Sequence, residues 1–489
     1  MDAAHGLESY FGGGSCARLV LQRGVGAIYA LAFLSALNQF KPLLGERGLL
    51  PVRDYLARVR FRDAPSLFHW HYSDRAFDLL AWLGLGLSLL ALTGLSERGP
   101  VGLSLAIWLG LFCLYLSIVN VGQRFYGFGW ESMLLEAGFF TTFLGPQKHP
   151  PSLVALLALR WLLFRVELGA GLVKLRHDSC WRDLTCLYYH YETQPLPNPL
   201  SRTFHHFPRL FQRLSVLFSH FVQLVCPFGL FAPQPVASFA AALIILHQLI
   251  LITSGNYAWL NWLTVALGCS ALDDRVLAAV VAVAPVVVSP RPFAFELVLA
   301  GLAAVTLLLS VKPVLNLVSS NQVMNATYNP LHLVGSYGAF GSVTRERHEI
   351  ILEGTRDVVV SDSAEFREYE FKGKPGDPRR RPQQWAPYHF RLDWQLWFLP
   401  LRLRNKRSGI IPLHHELWFD RLVEKLLAGD RALLALLSHN PFPDAPPRWV
   451  RASLYRYEFT TREERARTGL VWKRTRVGEY LPPVARCAE

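Results

Sequence analysis

Catalytic punctuation is missing from this chain. It contains no HExxH, no GxSxG, no GxxxxGK[ST] and no well-placed GxGxxG, so metalloprotease, serine-hydrolase, P-loop and dinucleotide-binding readings lose their usual support. Its seven cysteines in 489 residues include no CxxC pair, which excludes a disulfide scaffold and a structural zinc module. Charge is scarce too. Only 18% of residues are Asp, Glu, Lys or Arg, against about a quarter in soluble domains, and 51% are hydrophobic. A purely soluble, collagenous or disordered chain is therefore excluded. The formal net charge of +13 is not gathered into a stripe but interleaved with carboxylates, so nucleic acid is not an expected partner.

What is present divides at residue 318. The first 318 residues hold 40 charged side chains and the remaining 171 hold 47, roughly 13% and 27%. The averages hide two different solvents. Apolar runs of the length a bilayer demands, about 17–25 residues, recur at 18–40, 77–95, 100–121, 153–173, 236–254 and 294–317. Weaker runs lie at 128–144, 215–231, 259–272 and 276–289, each short or interrupted by Pro, Glu or His. The expectation is an α-helical polytopic membrane bundle of about 8–10 segments over 1–318, with extramembrane loops at 41–76 and 174–214. The polar, glycine-rich start is no cleavable signal, so the first run serves as its own insertion signal. Both loops are basic, and the first also carries Glu46, Asp54, Asp63 and Asp74, so Lys and Arg counts do not orient the bundle.

Several charges fall inside apolar runs, where an ionised group costs about 2.5–3.5 kcal/mol even on a permissive scale. Glu131 and Glu136 sit in FGWESMLLEAGFF, and Arg160, Arg165 and Glu167 in the run around WLLFRVELGAG. They must face protein or water. Either they line a polar cavity for binding or proton transfer, or they are buried ion pairs that lock helix register; nothing in their spacing dictates chemistry, which favours the second.

Histidines and cysteines add little. His69 and Asp74 match an HxxxxD acyltransferase pattern, but two fixed positions arise readily by chance. His205 with His206, and His414 with His415 before Glu416, are adjacent pairs whose side chains diverge by about 100° on a helix, a poor metal geometry. No metal or cofactor is expected. Cys180 and Cys186 bracket the aromatic loop HDSCWRDLTCLYYHYETQPLPNP, where they either close a small disulfide loop in an oxidising compartment or remain two packed thiols. The single cysteines Cys16, Cys113, Cys226, Cys269 and Cys487 read as packing or incidental.

From residue 319 the grammar changes. RHEIILEGT, DVVVSD, EFREYEFKGK, PYHFRLDWQLWF, SLYRYEFTT and TGLVWKRTRV alternate apolar and charged residues, the period of half-buried strands. HELWFDRLVEKLLAGDRALLALLSHNPF has helical spacing, with Gly429 as its stop and Asp430 as the next N-cap. Residues 319–489 are thus expected to form a β-rich α+β extramembrane domain. The basic runs at 379–381 and 401–407 read as solvated strand edges before lipid-headgroup contacts.

The strings LNQFKPLLGERGLLP, VNVGQRFYGFGWESMLLEAGF, GAGLVKLRHDSCWRDLTCLYYHYETQPLPNP, SGNYAWLNWLT, SSNQVMN, YGAFGSVTRERHEIILEGT, YEFKGKPGDPRRRP, PYHFRLDWQLWF and HNPFPDAPPRWVR, in that order, resemble the lipase maturation factor family from about residue 18 to residue 482. The resemblance implies a multi-pass protein of the endoplasmic reticulum membrane that assists folding and assembly of secreted lipases, with its C-terminal region in the lumen. Membrane lipid and a protein client are then the partners. The family supplies no catalytic residues to carry over. What carries over is the loop with Cys180 and Cys186, and with it client-docking candidates Trp181, Tyr188, Tyr189, His190 and Tyr191, together with Tyr337, Phe340, Arg345, Tyr388, Asp393 and Trp394 from the later motifs. Where the family's KPGD turn and its sequel carry cysteines, this chain has Gly373 and Gln384. That departure fits a bacterial homologue in a plasma membrane, with another client. Asn325, in Asn-Ala-Thr, is a glycan acceptor only in a eukaryotic lumen.

Two classes of function follow. One is a non-enzymatic maturation factor anchored by the bundle. The other is an intramembrane enzyme of the vitamin K-dependent carboxylase-like class, using Glu131, Glu136, Arg160, Arg165 and Glu167 around a lipid-soluble substrate.

Overall fold

In a lipid solvent an apolar run has no better partner for its backbone than itself, and the runs of the first part fold as helices. The computed structural model describes residues 10–281, 289–406, 409–412 and 416–486. Its longer helices are α1 (Ser15–Leu44), α2 (Asp74–Thr93), α3 (Val101–Val121), α4 (Gly129–Thr142), α5 (Leu153–Arg176), α6 (Arg209–Leu224), α7 (Val236–Ser254), α8 (Leu260–Gly268) and α9 (Phe293–Val318). Their ends are set locally. Ser73 caps α2 by accepting from the Ala76 amide at 3.1 Å, and Gly94 ends it with φ 81°, a left-handed turn that glycine takes without penalty. Helix α1 has no side-chain cap of its own. The Asp274 carboxylate supplies one from 258 residues away, accepting from the amides of Gly14, Ser15 and Cys16 at 2.9, 2.9 and 3.1 Å.

Helices α1, α2, α3, α7 and α9 are long and apolar enough to cross a membrane. Helix α5 has the length, 24 residues, but carries Arg160, Arg165 and Glu167. The weaker runs do not reach across. Helix α4 has 14 residues, α6 has 16 and α8 has 9, whereas about 20 are needed for a 30 Å hydrocarbon core. The run at 276–289 yields only the turn Asp274–Leu277 before residues 282–288, which lie outside the described set. The expected eight to ten segments thus resolve, among the described residues, into six long helices and shorter ones packed between them.

The bundle is dressed for lipid. Leu79, Trp82, Phe239, Leu307 and Leu308 are all more than 60% exposed, while Gln22, Glu131, Glu136, Arg165 and Glu167 are buried. Helix α6 is inverted in the same sense: Leu210, Phe211, Leu214, Leu217 and Phe221 face out, and Gln212, Ser219, His220 and Gln223 face in. Chain direction alternates. At one end Arg18 donates to the carbonyls of Pro146 and His149, and Arg23 pairs with Glu97. At the other, Gln123 donates to Leu50, Asn120 to Pro65 and Pro330, and Arg176 to Leu317. The loops at 45–73 and 177–208 therefore share one end with the extramembrane domain that follows α9.

That domain is built on an antiparallel sheet. Strand β1 (Arg347–Thr355) pairs with β2 (Arg367–Glu368) on one side and β7 (Trp449–Phe459) on the other, and β7 pairs with β8 (Trp472–Ala485), giving the order β2-β1-β7-β8. Register runs from Arg347 opposite Tyr457 to Thr355 opposite Trp449. Small antiparallel pairs join β3 (Glu370–Phe371) to β6 (Leu437–His439), and β4 (Leu403–Lys406) to β5 (Gly409–Pro412). Two expectations fail. DVVVSD is irregular, with Val358 and Val359 each 70% exposed. PYHFRLDWQLWF ends in a helix, α10 (Arg391–Phe398), in which every residue from Arg391 to Leu396 is buried. Helix α11 (Leu417–Ala428) stops at Gly429, φ 66°, and Asp430 caps the next turn by accepting from the Leu433 amide at 2.9 Å. In the basic run at 379–381, Arg380 turns inward to Glu370 and to the Phe371 and Lys374 carbonyls.

Candidate functional site

The five charges expected to form one intramembrane cluster occupy four separate places, only Glu136 and Arg165 being together. Glu136 on α4 takes Arg165 of α5 as its partner, and also accepts from the Tyr337 hydroxyl at 2.7 Å and the Gly335 amide at 3.1 Å. Arg165 returns a bond to the Gly335 carbonyl. Segment 335–337 lies directly on α5, where a Cβ on Gly169 would meet the Tyr337 carbonyl at 2.2 Å. Glu131 does not pair with any of the expected arginines. Its Oε1 accepts from Arg391 of α10 at 2.6 Å, and its other oxygen from the Tyr115 hydroxyl. Arg160 donates to backbone carbonyls, those of Ser270, Leu230 and Phe11, at 2.8, 3.3 and 3.0 Å, and lies over the Phe11 ring. Glu167 accepts from Gln248 at 2.7 Å. Charges dispersed in this way fix helix register; they do not converge on one reacting position.

Around the Glu131–Arg391 contact the domain seats itself on the bundle. Gln39 of α1 donates to the His389 carbonyl at 2.7 Å and accepts from the Arg391 amide at 2.9 Å. The imidazole of His389 is fully buried among Phe128, Trp130, Trp259 and Trp394. Burial, with Arg391 beside it, pulls its pKa down to about 4 against the pull of Glu131, so the ring is neutral. In the domain proper, Glu349 holds both Arg347 and Lys374, at 2.5 and 3.0 Å.

The aromatic loop is anchored from within. Cys180 and Cys186 are joined as a disulfide, their Cα atoms 4.8 Å apart. Asp178 accepts from the Cys180 and Val343 amides, each at 3.1 Å, and from Arg345 at 2.8 Å. Burial pushes the Asp178 pKa up, but those donors outweigh it and hold the carboxyl at about 2. Asp178 and the two sulfurs lie within 4.8 Å of one another, yet all three are already committed to these partners.

Most docking candidates are not at the surface. Trp181, His190, Tyr191, Tyr337, Asp393 and Trp394 are buried. Trp181 donates to the Phe340 carbonyl at 2.8 Å, His190 bonds Tyr257 at 3.0 Å, and Asp393 accepts from the Gly373 and Lys374 amides. They are scaffold, because large aromatics at a bundle-to-domain seam gain more from burial than from exposure. Tyr188, Tyr189, Phe340 and Tyr388 are half-buried and Arg345 is exposed, with Arg345 over the Tyr189 ring at 4.9 Å and Arg209 over Tyr188 at 4.9 Å.

Two of the other histidines singled out in the sequence bond backbone carbonyls. His69 bonds the Ala64 carbonyl, while Asp74 accepts from the Glu46 amide and Tyr72 hydroxyl. His206 bonds the Thr460 carbonyl. His414, His415 and Cys487 lie outside the described residues. Asn325 is exposed seven residues after α9.

Between the bundle and the seam lies a cavity of about 510 Å³ lined by α5, α6, α7, α8, the aromatic loop, residues 324–342 and α10. Its walls are mainly aromatic and aliphatic, and Glu167, Lys174, Gln223 and His247 face it. Sequence reasoning missed Lys174 and Arg391. Lys174 lies at the end of its helix, where a basic residue reads as an interfacial anchor, and Arg391 lies 260 residues from its partner, with nothing local to announce the pairing.

A polytopic helical membrane protein, with an α+β domain keyed into its bundle by a buried ion pair, is the class these observations define. The chain belongs to the lipase maturation factor family: the profile of the lipase maturation factor transmembrane domain matches residues 16–279, and that of the C-terminal domain residues 333–482. It is 42% identical to lipase maturation factor 1 of Bos taurus over 96% of this chain and 89% of the relative. The human lipase maturation factor 1 is also 42% identical, over 96% and 88%, and lipase maturation factor 2 of Rattus norvegicus is 29% identical over 96% and 83%. No solved structure matches the chain.

Proposed function

We propose that this protein is a membrane-resident maturation factor that assists the folding and assembly of secreted lipases. The observation that carries the reading is the match to both family domains, with 42% identity to lipase maturation factor 1 over 96% of the chain. The geometry supports it. The disulfide loop and the extramembrane domain share one end of the bundle, and disulfides persist in oxidising compartments. That end faces the lumen of the endoplasmic reticulum in a eukaryotic cell, or the outside of the plasma membrane in a bacterial one. The client meets this end at the half-exposed Tyr188 and Tyr189 and at Arg345, while the buried aromatics behind them hold the loop in shape. Residues 1–318 serve as the membrane unit and 319–489 as the client-facing unit.

The test is secreted lipase specific activity in cells lacking their own maturation factor. Rescue by the full chain is expected, as is weaker rescue by Tyr188→Ala with Tyr189→Ala at unchanged accumulation. No rescue by a correctly inserted full chain rejects the reading. Truncation after Val318 is a poor probe, because it strands Glu136 without Tyr337 and Glu131 without Arg391.

A further inference from the structure

The cavity beneath the seam has a built polar floor. Glu167, with 0% exposure, accepts from Gln248 through Oε1, and its Oε2, beside the Gln223 side chain, has no close hydrogen bond. His247 Nδ1 and Asn261 Oδ1, on side chains 4% and 3% exposed, also have none. Lys174, 6% exposed, donates to Gln223 at 2.7 Å and to Ser219 at 3.4 Å, and its ammonium otherwise faces the Trp181 ring at 4.8 Å, a weak contact that a hydroxyl acceptor can replace. Buried polar atoms left open in this way are costly unless something satisfies them. The rest of the lining is mainly apolar, from Val166 and Ala170 through Phe218 and Leu251 to Trp397 and Phe398, with His190, Ser215, Ser254 and Thr264 interspersed. Phe211 of α6 and Ile250 of α7, both at its rim, are also exposed on the lipid-facing side, so the cavity adjoins the bilayer between these helices.

We infer that this cavity binds a neutral single-chain lipid with a hydroxylated head, of the monoacylglycerol class, taken up from the bilayer between α6 and α7. Its size suits a small amphiphile. The charge balance selects the head group. One carboxylate and one ammonium project from the same helix, so the floor is neutral overall, and a charged head would be attracted by one and repelled by the other. Hydroxyls answer the open positions: they donate to Glu167 Oε2 and Asn261 Oδ1 and accept from Lys174. The acyl chain lies along the aromatic wall under α10.

The test is photolabelling of the full chain, in phosphatidylcholine nanodiscs, by a monoacylglycerol carrying a diazirine in mid-chain. Saturable labelling of residues 166–174, 211–223 or 247–264 is expected, competed about tenfold better by 1-oleoylglycerol than by oleate or added phosphatidylcholine. Unsaturable labelling confined to exposed helix faces overturns the inference, as does equal competition by all three lipids. Glu167→Gln leaves Lys174 as the lone charge of the floor. The preference should then reverse, oleate competing about tenfold better; an unchanged order in folded variant also overturns the neutral-head assignment. Should that variant not accumulate, the wild-type competition decides alone.

Discussion

Arg391 of the extramembrane domain donates through Nη1 to Oε1 of Glu131 in the bundle across 2.6 Å, and both side chains are fully buried. The guanidinium also donates to the Phe125 carbonyl at 2.8 Å and lies 3.4 Å over the Tyr126 ring. The contact exists only when α10 is seated between α4 and the loop before it. Its contribution is therefore positional: each charge is tolerable because the other is present.

Arg391→Met leaves Glu131 ionised without a partner and is expected to cost about 3–5 kcal/mol. The double variant Glu131→Leu with Arg391→Met should recover part of that loss, since no charge is then left unpaired, while the Tyr115 hydroxyl and Phe125 carbonyl lose a partner. Thermal unfolding in detergent micelles measures both. Wild-type stability in the single variant would show that the pair does not hold the seam.

Tyr337→Phe removes one of the donors on Glu136 and keeps the ring in place. A hydrogen bond to a charged group contributes about 1.5–3 kcal/mol, so this variant should be milder than Arg165→Met, which strands the carboxylate and costs about 3–5 kcal/mol. Limited proteolysis between residues 319 and 346, followed with unfolding, should rank them in that order. The opposite ranking would place the energy in the Tyr337 segment and leave the ion pair a lesser part.

How far the sequence carried this far depends on the range of the interactions. The long apolar runs announced α1, α2, α3, α7 and α9 because membrane length and composition are local properties. SLYRYEFTT gave itself away by alternation, and Gly429 with Asp430 by cap chemistry; RHEIILEGT is a strand as expected, but buried at eight of its nine positions where half-burial was expected. RLDWQLWF did not, because a helix buried on all sides has no polar stripe to betray its period. The buried glutamates were visible, but their partners were not. Glu131 reaches past Arg160 and Arg165 to Arg391, and Arg160 answers carbonyls from three segments, and such long-range choices leave no trace in spacing. Aromatic richness in the loop likewise signalled importance without distinguishing surface from scaffold.

The bond between Cys180 and Cys186 closes a loop with a sequence separation of only 6. Chain-entropy arguments give a loop this short about 2 kcal/mol of stabilisation. Replacing both by Ala should lower stability by that amount and loosen the Asp178–Arg345 contact beside it. Peptide mapping checks the bond itself: both cysteines should be alkylated only after reduction, and alkylation of both without reductant contradicts it.

Glu192 accepts from the Phe459 amide at 2.6 Å, where the aromatic loop meets β7. Burial, reinforced by Glu458, raises its pKa to about 7 against the Phe459 amide, Arg347 and Arg456. A carboxyl raised on folding binds a proton more tightly in the folded state, so its contribution is present at low pH and lost as pH rises from about 4.5 to about 7. His205, 3.6 Å away, runs the other way. Burial, with His206 and Arg202, lowers its pKa to about 4, so at neutral pH it is uncharged and forms no ion pair; its contribution is lost as pH falls from 6.5 towards 4. Glu192→Gln keeps an oxygen for the Phe459 amide and cannot ionise. It should match wild type near pH 5 and exceed it near pH 8, by on the order of 2 kcal/mol. Melting temperatures of both proteins at the two pH values test this, and an equal difference at both would remove Glu192 as the source of the alkaline loss.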